Sequence, residues 1–297
     1  MKKLLLSLMA AIICSCAVAA SASNADTEPV VIGSTNFPEQ LILANIYAKT
    51  LESRGVAVET RLNLGSREIV FPALRAGEVD IMPEYSGALL AYLSNGETDA
   101  QTAEEVISGL QQALPDELIM LEPGQAQDKD ALVVTQATAD EHGLETISDL
   151  QGVADDMIVG GPPELESRAD GLPGLEETYG LTFQSFRALD AGGPLTVGAL
   201  ENGDIDVARM FSTQGIIDAR GWVILQDDRN LVLAQNITPI VRRDVVTATI
   251  RATLNAVSAQ LTTDDLQRLN HRVDVEKADP AAVAAAWIND HDLFDEQ

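Results

Sequence analysis

Cysteine is nearly absent from this 297-residue chain, and its two copies, Cys14 and Cys16, both fall within the first twenty-two residues. Downstream of them the chain can form no disulfide, no thiolate metal site and no cysteine nucleophile. Histidine is scarce as well: His142, His271 and His291 stand far apart, and none has zinc-binding spacing. Past the amino-terminal segment the only lysines are Lys49, Lys129 and Lys277. Basic residues number 19 against 46 acidic ones, a formal charge of −27, which makes nucleic acid and anionic membrane surfaces poor partners. The acid is scattered, as in Asp155-Asp156 and Asp227-Asp228, and reads as solvated surface. There is no Walker-type phosphate loop, no Gly-x-Ser-x-Gly nucleophile turn and no dinucleotide fingerprint. The best reactive pair on offer, Lys129 with Asp130, is a poor one, so no catalytic residue, metal or cofactor is expected.

The one long apolar run is at the start. Met1-Lys2-Lys3 precedes an apolar stretch from Leu4 to Ala20, then small and polar residues through Ala25. This is the pattern of a secretory signal peptide over residues 1–22, with cleavage after Ala22 or Ala25. The expected location is periplasmic or otherwise extracytoplasmic. A lipoprotein signal with Cys16 acylated is the alternative, and it would anchor the protein.

Strand and helix patterns alternate along the rest. Strands are expected at Val30–Gly33, Ala57–Leu62, Val79–Met82 and Leu118–Leu121, with helices between them. The first helix carries Leu41, Ala44, Ala48 and Leu51 as a buried stripe. A second α/β block starts near Ala131, and Leu231–Arg242 reads as extended. The tail is helical from Val245, with Thr262 or Thr263 as a cap. Between Val30 and Leu93, three expected parallel strands each end in a polar or aromatic turn. Ligands bind at the carboxyl ends of strands in open α/β sheets, so the segment describes a small-molecule site. Gly160-Gly161-Pro162-Pro163 and Gly192-Gly193-Pro194 read as tight turns before helices, or as helix amino ends able to hold an anion.

Four motifs support a family resemblance: Gly33-Ser34-Thr35-Asn36-Phe37-Pro38-Glu39-Gln40, Asp80-Ile81-Met82-Pro83-Glu84-Tyr85-Ser86-Gly87, Ser167-Arg168-Ala169-Asp170-Gly171-Leu172-Pro173-Gly174-Leu175, and Phe211-Ser212-Thr213-Gln214-Gly215. With them the chain resembles the glycine betaine/choline/carnitine-binding proteins of ABC importers. The resemblance implies an α/β, bilobal periplasmic-binding-protein fold (venus flytrap, type II). Its first lobe would be discontinuous, residues 28–130 and 236–297, its second 131–235, with two hinge crossings. It implies a monomeric receptor that closes on a small cationic or zwitterionic osmolyte and passes it to a permease and its ATPase. Other zwitterions or amines (ergothioneine, an amino acid, a polyamine), or a sensory or enzymatic derivative, are the alternatives.

In that family tyrosines surround a quaternary ammonium group, whose charge is attracted to ring faces. Carried over, Tyr85 is retained, Phe211 stands where tyrosine is usual, Arg168 suits a carboxylate and Gln40 matches. Thr35 replaces a frequent lysine, Ala88 a frequent threonine, and Gln235-Asn236 a further tyrosine, while Asp128 or Asp130 adds anionic oxygen. The expected ligand-binding set is therefore Tyr85, Arg168, Phe211, Gln40, Thr35, Asp130, Gln235 and Asn236.

Overall fold

The computed structural model describes residues 28–293. The signal-peptide and lipid-anchor expectations fall outside the described residues. Among those residues no helix is long and apolar enough to cross a membrane.

The chain builds two five-stranded sheets. The first collects β1 (Val30–Gly33), β2 (Val58–Arg61), β3 (Ile81–Tyr85), β4 (Leu118–Met120) and, from much later in the chain, β10 (Ile237–Arg242). Its order is β2-β1-β3-β10-β4. The second collects β5 (Asp130–Val134), β6 (Ile158–Gly161), β7 (Ser185–Ala188), β8 (Val207–Phe211) and β9 (Val223–Leu225), in the order β7-β6-β8-β5-β9. The plan is the same in both. Three strands run parallel (β1, β2, β3; β6, β7, β8), and a fourth that links the lobes is inserted antiparallel (β10; β5). The two links lie side by side, with Gln127 bridged to Asn236 and the Asp128 N–H donating to the Gln235 carbonyl at 3.3 Å. This is the bilobal fold expected from the sequence.

Crossover helices cover both faces of each sheet, as parallel strand order requires. In the first lobe, α1 (Pro38–Ser53) lies on one face with the tail helices α9 (Ala248–Gln260), α10 (Thr263–Asp274) and α11 (Pro280–Asp290). Helices α2 (Arg67–Ala76), α3 (Ser86–Ser94) and α4 (Ala103–Ala113) fill the other. In the second lobe, α6 (Leu172–Tyr179) packs with one apolar cluster, and α7 (Pro194–Glu201) and α8 (Gly215–Arg220) with another. The short α5 is Gln136–His142.

Local chemistry sets the boundaries. Helix α1 opens with Pro38 in its first turn, where a missing N–H leaves no bond unmade. Helix α2 stops at Gly77, whose φ of 79° suits glycine. Helix α10 is capped by Thr262, not Thr263, because Thr262 and Asp265 form a reciprocal capping box. Three details differ from expectation. Helix α1 is buried nearly all round, including Ile42, Leu43, Ile46 and Tyr47, while Leu41 is only half-buried; α9, α10 and α11 cover the side that a two-layer reading leaves to solvent. The strand expected from Leu231 begins only at Ile237. The Asp227 carboxylate accepts hydrogen bonds from the Leu231 and Val232 N–H groups at 3.0 and 2.8 Å and holds that stretch in a turn. Helices α5 and α8 were not expected as elements.

The two lobes touch where α8 meets α10. A Cβ on Gly215 would overlap the backbone of His271, so the absence of a side chain there sets how closely the lobes approach. Gly215→Ala is expected to destabilise the fold by about 1–3 kcal/mol, the usual penalty for overpacking. Urea denaturation measures it, and an unchanged midpoint would show that the α8–α10 contact yields freely.

Candidate functional site

The ends of all six parallel strands meet at one cavity of about 100 Å³ between the lobes. From the first lobe come the turn after β1 (Thr35, Phe37), the turn after β2 (Ser66, Arg67) and the end of β3 (Glu84, Tyr85). From the second come Pro162 and Pro163 after β6, Asp190 after β7, and Arg209 and Phe211 at the end of β8.

Three aromatic rings form a continuous stack. Phe37 lies at a centroid distance of 6.0 Å from Tyr85 and 4.4 Å from Phe211, both stacked. Phe37 belongs to the first lobe and Phe211 to the second, so the stack crosses the cleft. Tyr85 and Phe211 were expected at the site; Phe37, which joins them, was not singled out, although it sits in the first motif and in a strand-end turn. The Tyr85 hydroxyl donates to Glu39 Oε1 at 2.8 Å. Burial, and then the neighbouring Glu39, push its phenol well above the usual tyrosine range.

Arginines reach the cavity at three points, and each is held by a carboxylate of the chain. Arg67 is bidentate to Glu84, Nε to Oε1 at 2.8 Å and Nη2 to Oε2 at 2.7 Å, with the Glu84 residue only 1% exposed. Arg209 donates from Nε to Asp130 Oδ1 at 3.1 Å and from Nη2 to Asp170 Oδ2 at 3.3 Å. Arg168 is bidentate to Glu68, both bonds at 3.1 Å. Glu68 opens α2 in the first lobe, so this pair too crosses the cleft. Burial pushes the Glu68 carboxyl up, but the bonds from Arg168 outweigh it and hold the group at about 2.

The remaining expected residues take distinct places. Burial raises the Asp130 carboxyl, but Arg209, with Arg168 and Arg67 further off, more than reverses this and keeps it below the ordinary range. Gln40 lines the cavity, but its amide braces the site: it accepts from the Thr35 N–H at 3.4 Å and donates to the Pro83 carbonyl at 3.0 Å. The Thr35 hydroxyl is buried at the cavity with no partner. Gln235 lines the cavity and accepts from the Ala88 N–H at 2.8 Å. Asn236 is not among the lining residues. Its amide donates to the Gly124 carbonyl at 2.9 Å, within the hinge. The amino end of α7 after Gly192-Gly193-Pro194 is no open anion site, because Asp190 accepts the Leu195 and Thr196 N–H groups at 3.0 and 2.9 Å.

Beneath the aromatic stack lies a network that the motifs did not disclose as a unit. Glu39 Oε2 accepts from the Thr213 hydroxyl and from Asn270 Nδ2, both at 2.6 Å. Asp128 Oδ1 accepts from the Thr213 N–H at 3.0 Å and the Ser212 hydroxyl at 3.1 Å. Thr213 belongs to the second lobe, Glu39 and Asn270 to the first, and Asp128 to the hinge.

The dry Arg67–Glu84 pair yields a stability prediction. Arg67→Ala strands the Glu84 carboxylate and should cost about 3–5 kcal/mol, whereas Arg67→Met with Glu84→Leu should cost much less. Guanidinium denaturation of both variants tests this, and a loss below about 1 kcal/mol for Arg67→Ala would mean that water already reaches the pair.

Residues 28–290 match the family described as the substrate binding domain of ABC-type glycine betaine transport systems. A glycine-betaine-binding protein of Pseudomonas aeruginosa is 31% identical, over 95% of this chain and 94% of that one. The glycine betaine-binding protein YehZ of Escherichia coli is 30% identical, over 88% and 90%. Among solved structures, one described as a glycine betaine/carnitine/choline ABC transporter superposes with a TM-score of 0.71 at 26% identity, over 90% of this chain and all of that one.

Proposed function

This chain belongs to the family of substrate-binding domains of ABC-type glycine betaine transport systems, and from its cleft we propose that the solute it captures carries a cationic ammonium centre. As a member of that family it is a solute-binding receptor of an ABC importer and works with a permease and an ATPase. The observation that carries the ligand reading is the Tyr85–Phe37–Phe211 stack, set at a cavity also lined by Asp128, Asp130, Glu84, Glu164 and Asp190. Ring faces and carboxylates both favour a cation, and aromatic faces accept one that has no N–H to donate.

The three arginines bear on the other end of the ligand. Arg67 and Arg209 are buried and committed to Glu84, Asp130 and Asp170, whereas Arg168 and Glu68 are about a third exposed, with side chains at 28% and 36%. A zwitterion such as glycine betaine must draw Arg168 away from Glu68 to have its carboxylate paired. A simple cation such as choline need not. Lobe closure excludes water and strengthens the contacts of either ligand. The mechanism uses no covalent chemistry and assigns no catalytic residue. Thr35, Gln40 and Gln235 shape the wall, and Asn236 acts in the hinge. We place the hinge crossings at 130/131 and 235/236, the protein outside the cytoplasm with residues 1–22 as its export signal, and its working form as a monomer.

Calorimetric titration with choline, glycine betaine and carnitine tests the ligand class. Phe211→Leu removes one ring face while keeping bulk, and should weaken binding by about 0.5–2 kcal/mol. Binding of none of the three compounds would sink the reading. Closure is tested separately: small-angle scattering should show a smaller radius of gyration with saturating ligand, and an unchanged radius would rule out lobe movement.

A further inference from the structure

Among the described residues that line the cleft, Asp128 is a buried charged side chain whose bonding is incomplete. It is 2% exposed, lines the main cavity, and has Oδ2 buried without a partner. Asp130, two residues on, is by contrast neutralised by Arg209. Asp128 also borders a second, smaller cavity of about 10 Å³, room for one water, shared with Phe37, Phe211, Glu39, Asn270 and Asp274. Asn270 Oδ1 is buried there without a donor as well. Glu39 accepts from three donors, Tyr85, Thr213 and Asn270; burial pushes its carboxyl up and these bonds oppose the rise, favouring its ionised form over that of Asp128. Thr213 joins Glu39 to Asp128, donating its N–H to Asp128 and its hydroxyl to Glu39, and both carboxyls border the smaller cavity. Two carboxyls this close and this dry do not both carry charge unless a cation is present.

Resting on the ligand class proposed above, we infer that Asp128 is the counter-ion of the ligand's ammonium centre, and that in the empty cleft its carboxyl holds a proton, which the arriving cation displaces into solvent. The exchange balances: a neutral carboxyl and a cation enter, a carboxylate–ammonium pair and one proton leave. Burial and then the charge of Glu39 push the Asp128 carboxyl well above the carboxylate range, in keeping with a bound proton. The groups that face the pair are accounted for. From β3 comes the neutral Tyr85 phenol. From β5 comes Asp130, paired with Arg209. From the β8–α8 turn come Ser212, Thr213 and Gln214, which are uncharged. From α10 come Asn270, His271 and Asp274, with Lys277 beyond them acting on Asp274. Asp274 also titrates, since burial pushes it to about 6, but it does not line the main cavity.

The sign follows from linkage. A cation that binds the ionised form competes with the proton, so affinity rises with pH until Asp128 is already ionised in the empty protein. Titration of the intact protein with choline, at fixed pH in buffers of different ionisation enthalpy, counts the protons released. Close to one proton per choline is expected at pH 5, with affinity rising about tenfold per pH unit on the acid side. Asp128→Asn should abolish both effects, while Asp274→Asn should keep them. Choline binding with no proton release and flat affinity from pH 5 to 8 overturns the inference and leaves the ligand class standing. Release that survives Asp128→Asn but disappears in Asp274→Asn overturns it too. If choline, glycine betaine and carnitine all fail to bind at every pH, the ligand class fails and the inference falls with it. Should Asp128→Asn not fold, the proton count of the unaltered protein still decides.

Discussion

A guanidinium taken out of water must find a carboxylate, because an unpaired buried charge costs several kcal/mol. That constraint organises the cleft. Arg67, Arg168 and Arg209 each meet the cavity already bound to Glu84, Glu68, or Asp130 with Asp170. Positive charge is thereby balanced before a ligand arrives, and what remains is carboxylate oxygen and aromatic surface. A binding protein with the opposite balance, with free guanidiniums and paired acids, would suit an anion on the same fold.

The pairs also divide between two mechanical roles. Arg67–Glu84 lies within the first lobe, and Arg209–Asp130 ties β8 to the strand that enters the second. These keep each wall rigid. Arg168–Glu68 and the Phe37–Phe211 stack span the lobes, as do the Thr213 contacts to Glu39 and Asn270. Ligand recognition and lobe approach therefore share residues: whatever enters beside Phe211 or Arg168 acts on contacts that hold the two halves together. Differential contact of this kind is what lets a ligand shift an open–closed equilibrium.

Much of the architecture was legible in the sequence because parallel α/β units announce themselves. A short strand followed by a polar or aromatic turn and a helix recurs at Val30, Val58 and Ile81, and their turns do line one cavity. Helices α5 and α8 escaped because six or seven residues complete fewer than two turns and show no period. Tyr85, Phe211, Arg168, Thr35 and Gln40, from the motifs, and Asp130 and Gln235, from outside them, line the cavity, while Asn236 turns into the hinge. Arg168 has the acids Glu166 and Asp170 beside it in sequence, but its partner is Glu68, a hundred residues away.

The amino-acid sequence by itself determined the alternation of strands and helices, the parallel turns that make a small-molecule site, the acidic balance and the family. These depend on local periodicity, composition and short motifs. Only the tertiary structure decided which charges are spent on one another. Pairing of Arg67 with Glu84 depends on how α2 packs beside β3, and stacking of Phe37 on Phe211 and convergence of Glu39, Asp128 and Asn270 depend on segments brought together by the two hinge crossings. Electrostatic energy depends on separation and burial, and neither is a property of position along the chain.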